Sequence, residues 1–254
     1  MRGKRTASKR AICAALLSVA AVGFAAPVAA GPADKLREGL FKTRPGEVAA
    51  QPIACFSSED GRVFTLDRSQ PIPMLKFEDS PEVWALLASP APRGDVIYKN
   101  DLGEPMLRAT RLGGFTLFSD KRPSGEAVSR ANGCGPLRLM LLSPQALGER
   151  MLQASVRSGR AARRSVLFEA EATPNSAALI ADSAMVVTLA FLRVASKEGG
   201  RAMLGKVAKV QFAEGRKPGV SFQGGTLRVQ VAPGQGLAGR PSSEKVVKAL
   251  KGAK

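Results

Sequence analysis

The chain has 254 residues, 38 Lys and Arg against 21 Asp and Glu, and no histidine, for a formal net charge of +17. The missing histidine excludes a histidine-based catalytic triad and any histidine-ligated zinc site. Three cysteines are too few for a cysteine-rich metal centre, and one Trp and one Tyr give little support for base stacking on nucleic acid.

The N-terminus reads as a secretory signal peptide over residues 1–30. "MRGKRTASKR" carries five basic residues and no acid, "AICAALLSVAAVGFAA" is apolar, and Val28 and Ala30 are the small residues before Gly31. No twin-arginine pair is present, so the general secretion route is expected. Cleavage after Ala30 leaves 224 residues, room for one large domain or two small ones, with no transmembrane segment expected afterwards. Residues 31–51 read as a leader containing "PADKLREGLFK", a short amphipathic helix. Cleavage also removes Cys13. Cys55 and Cys134 then read as one disulfide in an oxidising compartment, with two buried free thiols as the alternative. On the chain-entropy argument a loop of that length stabilises the fold by about 4 kcal/mol.

Residues 52–143 read as a β-rich half. "IACFS", "RVFTLD", "PMLKFE", "EVWALLA", "DVIYKN", "MLRATRL", "FTLFS" and "LRLMLLS" are separated by Pro, Ser and Gly turns. About eight short antiparallel strands at spacings of roughly 8 to 12 residues predict a small barrel or sandwich. In that reading Cys134 precedes the last strand, and the disulfide ties first to last where a barrel must close.

Residues 144–254 read as a two-layer α+β half. Ser143-Pro144 caps the helix "QALGERMLQASVRS". "RSVLFEAEA" alternates as a strand. Thr173-Pro174 opens a helix to about Ser196 that is apolar nearly all round, with Asp182 and Arg193 its only charges. Its length also fits a membrane span, but the buried charge and the Thr-Pro cap favour a core helix. "KVAKVQFAE", "GVSFQ" and "TLRVQVA" follow as strands, the last two joined by the hairpin signal Gly224-Gly225. One apolar and one polar face predict helices on one side only. A short basic helix begins near Ser242.

Two patterns near the C-terminus resemble catalytic motifs. Gly234, Gly236 and Gly239 spell G-x-G-x-x-G, but too little chain follows for the βαβ unit a dinucleotide needs. Ser242 and Lys245 spell S-x-x-K, but no S-D-N or K-T-G element follows, and capping chemistry explains them. Arg93-Gly94-Asp95 spells a cell-adhesion tripeptide that a strand start accounts for. Asp101 and Glu104 flank a hairpin glycine, without calcium-loop spacing. Glu78, Asp79, Glu82 and Asp95 are candidate carboxylates for glycoside hydrolysis, which depends on spatial separation rather than spacing in sequence.

Charge is uneven. Gly31–Ser143 holds 15 basic and 14 acidic residues, whereas Pro144–Lys254 holds 18 and 7. This asymmetry points to an anionic partner for the second half. Arg157, Arg160, Arg163 and Arg164 in "RSGRAARRS" are the candidate binding residues. Arg157, Arg160 and Arg164 would share one face if the helix ran through them. A solvated helix end, where positive charge suits the macrodipole, is the structural alternative.

"FTLDRS", "LKFEDSPEVWALL", "RGDVIYKND", "MLRATRLGG" and "GLAGRPSS" together resemble an uncharacterised family of exported alphaproteobacterial proteins, a domain of unknown function spanning Pro52 to Leu250. The resemblance implies export and a single inherited architecture, and no activity, ligand or catalytic residue. A small exported barrel with one disulfide is also similar in outline to periplasmic lysozyme inhibitors. The near-neutral charge of the first half speaks against that comparison. The expectation is therefore an exported, non-enzymatic α+β protein without cofactor or metal. It would bind cell-wall polymer, lipopolysaccharide or lipid headgroups through its basic half, and nucleic acid is disfavoured. A carboxylate-based envelope hydrolase and a structural or assembly partner are the alternatives.

Overall fold

The computed structural model describes residues Gln51–Gly252. The expected signal peptide and the helix of the leader lie outside the described residues.

The first half forms nine strands: β1 (Ile53–Ser58), β2 (Val63–Asp67), β3 (Met74–Phe77), β4 (Val83–Ala85), β5 (Leu87–Pro90), β6 (Val96–Lys99), β7 (Pro105–Ala109), β8 (Phe115–Ser119) and β9 (Arg122–Ala131). They make one sheet in the order β4-β3-β2-β1-β9-β8-β7-β6-β5. All the pairings are antiparallel. β4 and β5 occupy the two ends of that order, yet only Leu86 separates them in the chain. The sheet therefore curls into a nearly closed barrel, joined through the backbone at Leu86. The expected strand "EVWALLA" is this single stretch, broken where it passes from β3 to β6.

The interior is filled by inward side chains at alternate positions, which is how a small barrel replaces a cavity with a core. Phe56, Phe64, Leu75, Leu86, Leu107 and Leu117 are all at most 1% exposed. The Phe56 ring lies 4.4 Å from Phe115 and 5.4 Å from Phe64, centroid to centroid. Each such side chain contributes about 1.5–3 kcal/mol by leaving water.

The last strand differs from expectation. "LRLMLLS" is not a strand, and no regular element occupies residues 132–143. β9 takes its place, pairing with both β1 and β8. Its sequence, RPSGEAVSRA, has no apolar alternation, so its strand character comes from the two neighbouring ladders rather than from burial. Leu137 and Leu139 instead pack outside the barrel with Met74, Leu237 and Ala238. Cys134 thus follows the last strand. It is bonded to Cys55, with Cα atoms 5.7 Å apart across a separation of 79 residues. The disulfide still joins the first strand to the exit of the last.

The second half runs α1 (Pro144–Ala162), β10 (Leu167–Ala170), α2 (Ala177–Ala195), α3 (Gly200–Leu204), β11 (Lys209–Glu214), β12 (Gly219–Gln223), β13 (Thr226–Val231) and α4 (Ser243–Lys251). The sheet order is β10-β11-β13-β12, with β10, β11 and β13 parallel and β12 antiparallel to β13. Gly224 and Gly225 take φ of +55° and +76°, the left-handed pair that a two-residue hairpin needs. Val210, Phe212, Leu227 and Val229 form the inner face and share one core with Leu179, Ile180, Val187 and Phe191 of α2. The apolar helix is therefore a core helix of a two-layer α+β unit, but Thr173-Pro174 does not cap it: the helix starts at Ala177, after Ser176, which makes no side-chain cap hydrogen bond, and Thr173 O accepts from the Ser176 amide in the turn before it.

Candidate functional site

The arginine cluster begins with a well-started helix. Ser143 Oγ accepts from the Ala146 amide at 3.2 Å, with Pro144 in the first turn. One stripe of α1, Leu147, Met151, Ala154, Ser158 and Ala161, is buried. The opposite side faces solvent. The helix stops at Ala162, so the expected three-arginine face does not form. Arg163 turns left-handed at φ +54°, and its amide donates to Arg160 O. The Arg164 amide donates to Gly159 O at 3.1 Å, completing a Schellman-type end. Gly159 eases this close approach, because a Cβ would lie 3.0 Å from Arg164 O. Arg157 and Arg160 remain one turn apart on the exposed side, while Arg163 and Arg164 fold back beside the helix end. All four are exposed. Arg164 donates from Nη1 to the Gly205 carbonyl, at the end of α3.

None of these four arginines forms an ion pair among the described residues. Arg62, Arg108, Arg122, Arg138, Arg193 and Arg240 all do. An arginine at a left-handed C-terminal position is also unusual, since glycine avoids a Cβ strain of about 1–2 kcal/mol.

A second polar cluster fastens α4 to the barrel. Glu82, fully buried, accepts from the Ser243 amide at 2.7 Å and the Ser243 hydroxyl at 2.6 Å. Asp101 accepts from the Ser242 amide at 3.0 Å and its hydroxyl at 2.6 Å. Ser242 Oγ accepts from the Lys245 amide at 3.1 Å, so the S-x-x-K pattern is a helix cap. Asn100 donates to both Glu104 and Glu244 at 2.8 Å. The only two charges of α2 serve the same seam. Asp182 pairs with Arg240, which also donates to Val83 O at 2.8 Å, and Arg193 Nη1 donates to Ser243 Oγ at 2.7 Å, with Nη2 3.6 Å from Glu82. Burial, reinforced by the neighbouring Glu104 and Glu82, pushes the Glu244 carboxyl up to about 7 against the pull of Arg193.

The remaining sequence candidates do not converge. Gly234, Gly236 and Gly239 lie in the tight turn Pro233–Gly239, where Ala232 N donates to Gly239 O at 2.7 Å. Leu237 and Ala238 of that turn pack on Met74 of the barrel. Asp79 pairs with Arg62, and Asp95 with Arg108, which holds its carboxyl below the ordinary value. Asp95 lies at the opposite end of the barrel from Glu78, Asp79 and Glu82. Arg93 sits at φ +66° in the turn Pro92–Gly94 that leads into β6.

Spacing alone did not point to the open face of the second sheet. Row by row across the strands, Glu169, Gln211, Arg228 and Ser221 stand side by side. In the next row Ala213 and Gly219 flank Gln230. Their small side chains leave a shallow polar depression of ≈ 480 Å³ between Glu171 and Gln230. Its alternation was the available signal, since Ser221, Arg228 and Gln230 read as outward-facing.

These features define a packed, disulfide-joined antiparallel barrel fastened to a two-layer α+β unit that carries a free arginine corner. Residues 35–250 match the family described as Domain of unknown function (DUF4908), and the chain belongs to it. No curated protein and no solved structure matches the chain.

Proposed function

We propose that this is an exported, non-enzymatic binding protein that holds an anionic component of the cell envelope at the arginine corner of α1. The observation that carries this reading is the gathering of four exposed arginines, Arg157, Arg160, Arg163 and Arg164, at one helix end, none of them in an ion pair among the described residues. Free guanidinium groups present forked donors that suit phosphate and carboxylate oxygens. Arg163 supports it further, because a cation occupies a backbone position that glycine would fill at lower cost. The Cys55–Cys134 disulfide accords with an oxidising compartment. The ligand class is a phosphate- or carboxylate-bearing surface: cell-wall polymer, lipopolysaccharide or phospholipid headgroups.

The hydrolase alternative has less behind it. Of its four candidate carboxylates, Asp95 lies at the far end of the barrel paired with Arg108, Glu82 is buried beneath Ser243 and Asp79 is paired with Arg62, around a barrel whose interior is packed.

The test is co-sedimentation of the processed chain with purified sacculi and with vesicles containing phosphatidylglycerol, at low and high salt. Salt-sensitive binding that disappears when Arg157, Arg160, Arg163 and Arg164 are changed to Gln supports the proposal. Binding that survives those changes removes the corner from the function.

A further inference from the structure

The helix that carries the arginines also leaves apolar side chains in water. Leu152 is 66% and Val156 46% exposed, and Leu167, at the start of β10, is 55% exposed. Single exposed leucines are ordinary on a protein surface, but these three are brought together. Leu152 and Val156 are four residues apart, so they stand one above the other on one face of α1. Ser155 Oγ donates to Val166 O at 2.7 Å, and a Cβ on Gly159 would lie 3.8 Å from Val166 N. The start of β10 therefore runs back along the flank of α1 beside Leu152 and Val156, and Leu167 is its next residue. Met140 and Leu141 are also exposed, but they precede the other end of α1.

The apolar row continues into positive charge. Arg160 follows Val156 by another four residues, and Arg163 and Arg164 fold back beside it at the helix end. Arg164 Nη1 donates to Gly205 O, which brings the exposed Lys206 to the same corner. Glu149, one turn before Leu152, is the only acid of α1, and Glu169, two residues after Leu167, is paired with Lys209 at 3.1 Å. A row of exposed apolar side chains bordered by free basic ones is the pattern of a surface that lies on an anionic bilayer. A hydrophilic polymer would neutralise the arginines and leave the leucines in water. Acyl chains beneath phosphate headgroups take both.

Given the arginine corner as the binding site, we propose that its partner is the surface of an anionic phospholipid bilayer, which Leu152, Val156 and Leu167 enter. Arg160, Arg163 and Arg164, with Arg157 further round the helix, hold lipid phosphates around that apolar row. Arginine suits the position, because its long stem lies along apolar surface while the guanidinium stays at the headgroups. The helix rests on the bilayer and does not cross it, since its other face, Leu147, Met151 and Ala154, remains in the protein core. The arginines supply the salt-sensitive part of the attraction and the apolar row the salt-resistant part.

The experiment floats the full processed chain with vesicles of phosphatidylcholine alone and of phosphatidylcholine mixed with phosphatidylglycerol, beside co-sedimentation with purified sacculi. Binding is expected only to the vesicles that contain phosphatidylglycerol. Leu152→Ser combined with Val156→Ser should weaken it roughly tenfold, by withdrawing two partly inserted side chains. Both positions are exposed, so the urea midpoint should stay where it is. Leu152→Trp gives an independent measurement. Trp84 is buried, so a blue shift in emission on adding phosphatidylglycerol vesicles reports the new indole entering the bilayer. Unchanged affinity in the double serine variant, or no blue shift from bound Leu152→Trp, overturns the proposal and leaves the corner a purely electrostatic site. Binding to sacculi without binding to vesicles overturns it too, while keeping the corner as the site of a polymer. Vesicle binding that survives changing all four arginines to Gln overturns the corner itself, and the bilayer proposal with it.

Discussion

The α4 seam and the α1 corner use the same residue type to opposite ends. At the seam Arg240, 2% exposed, meets Asp182 and a backbone carbonyl, and Arg193 meets Glu82 and Ser243. At the corner four arginines meet no carboxylate among the described residues. A buried guanidinium such as Arg240, or a buried carboxylate such as Glu82, is very costly without a partner, so the charges that dock the two halves come in pairs. An exposed one carries no such demand and is free to meet something else. Arginine count alone does not distinguish the two roles, whereas pairing does.

Breaking the seam gives the largest expected effect. Arg240→Ala leaves Asp182 unpaired within the seam and should destabilise the protein by about 3–5 kcal/mol in urea denaturation. Arg157→Gln and Arg160→Gln should each change stability by less than about 0.5 kcal/mol. Comparable losses at both places would erase the distinction. Next, Cys134→Ser should cost about 2–4 kcal/mol by freeing the loop that joins the first strand to the exit of the last, seen as a lower urea midpoint.

The pH dependence sharpens the comparison on the seam side. Glu244 has its carboxyl raised to about 7 from an ordinary 4.5. The folded state therefore holds its proton more tightly, and the stability this gives is complete below 4.5 and lost as pH rises through 7. A fall in stability between those values should appear in wild type and flatten in Glu244→Gln. Asp67 acts in the opposite direction. Burial pushes its carboxyl up, but hydrogen bonds from Ser69 and the Leu137 amide, with Arg138 nearby, more than offset that and hold it below the ordinary value. Its contribution is lost on acidification. At the corner a small gain is expected: Arg163→Gly should raise stability by about 0.5–1 kcal/mol by relieving the left-handed strain, while weakening binding to anionic vesicles.

Elements whose own side chains bury a face were readable in order. Phe56, Phe64 and Leu75 mark strands by alternation, and Leu179 to Val194 mark a core helix by being apolar nearly all round, with Asp182 and Arg193 the only charges. β9 was not readable, because its residues are mostly polar and its pairing depends on two distant strands. "LRLMLLS" misled for the converse reason. Leu137 and Leu139 pack on the outside of the barrel, Leu142 on the core of the second half and Leu141 is exposed, and none enters a ladder. Of the sites, the disulfide partners and the exposed arginines could be named from composition and spacing. The apolar row beside those arginines could not, because Leu167 joins Leu152 and Val156 only where β10 runs back along α1, held by the Ser155 hydroxyl on Val166 O.

Sequence alone determined the change from a β-rich to an α+β half, the one disulfide that Cys55 and Cys134 can form, and the capping roles of Ser143 and Ser242. These rest on local chemistry or on elimination, which need no knowledge of distant neighbours. Tertiary structure decided which charges are satisfied. Asp182 finds Arg240 across 58 residues and Glu82 finds Ser243 across 161, while Arg157 and Arg160 find no acid. It also brought Glu82 and Asp101, from two separate hairpins, together beneath α4, because only strand direction places hairpins from distant parts of the chain side by side.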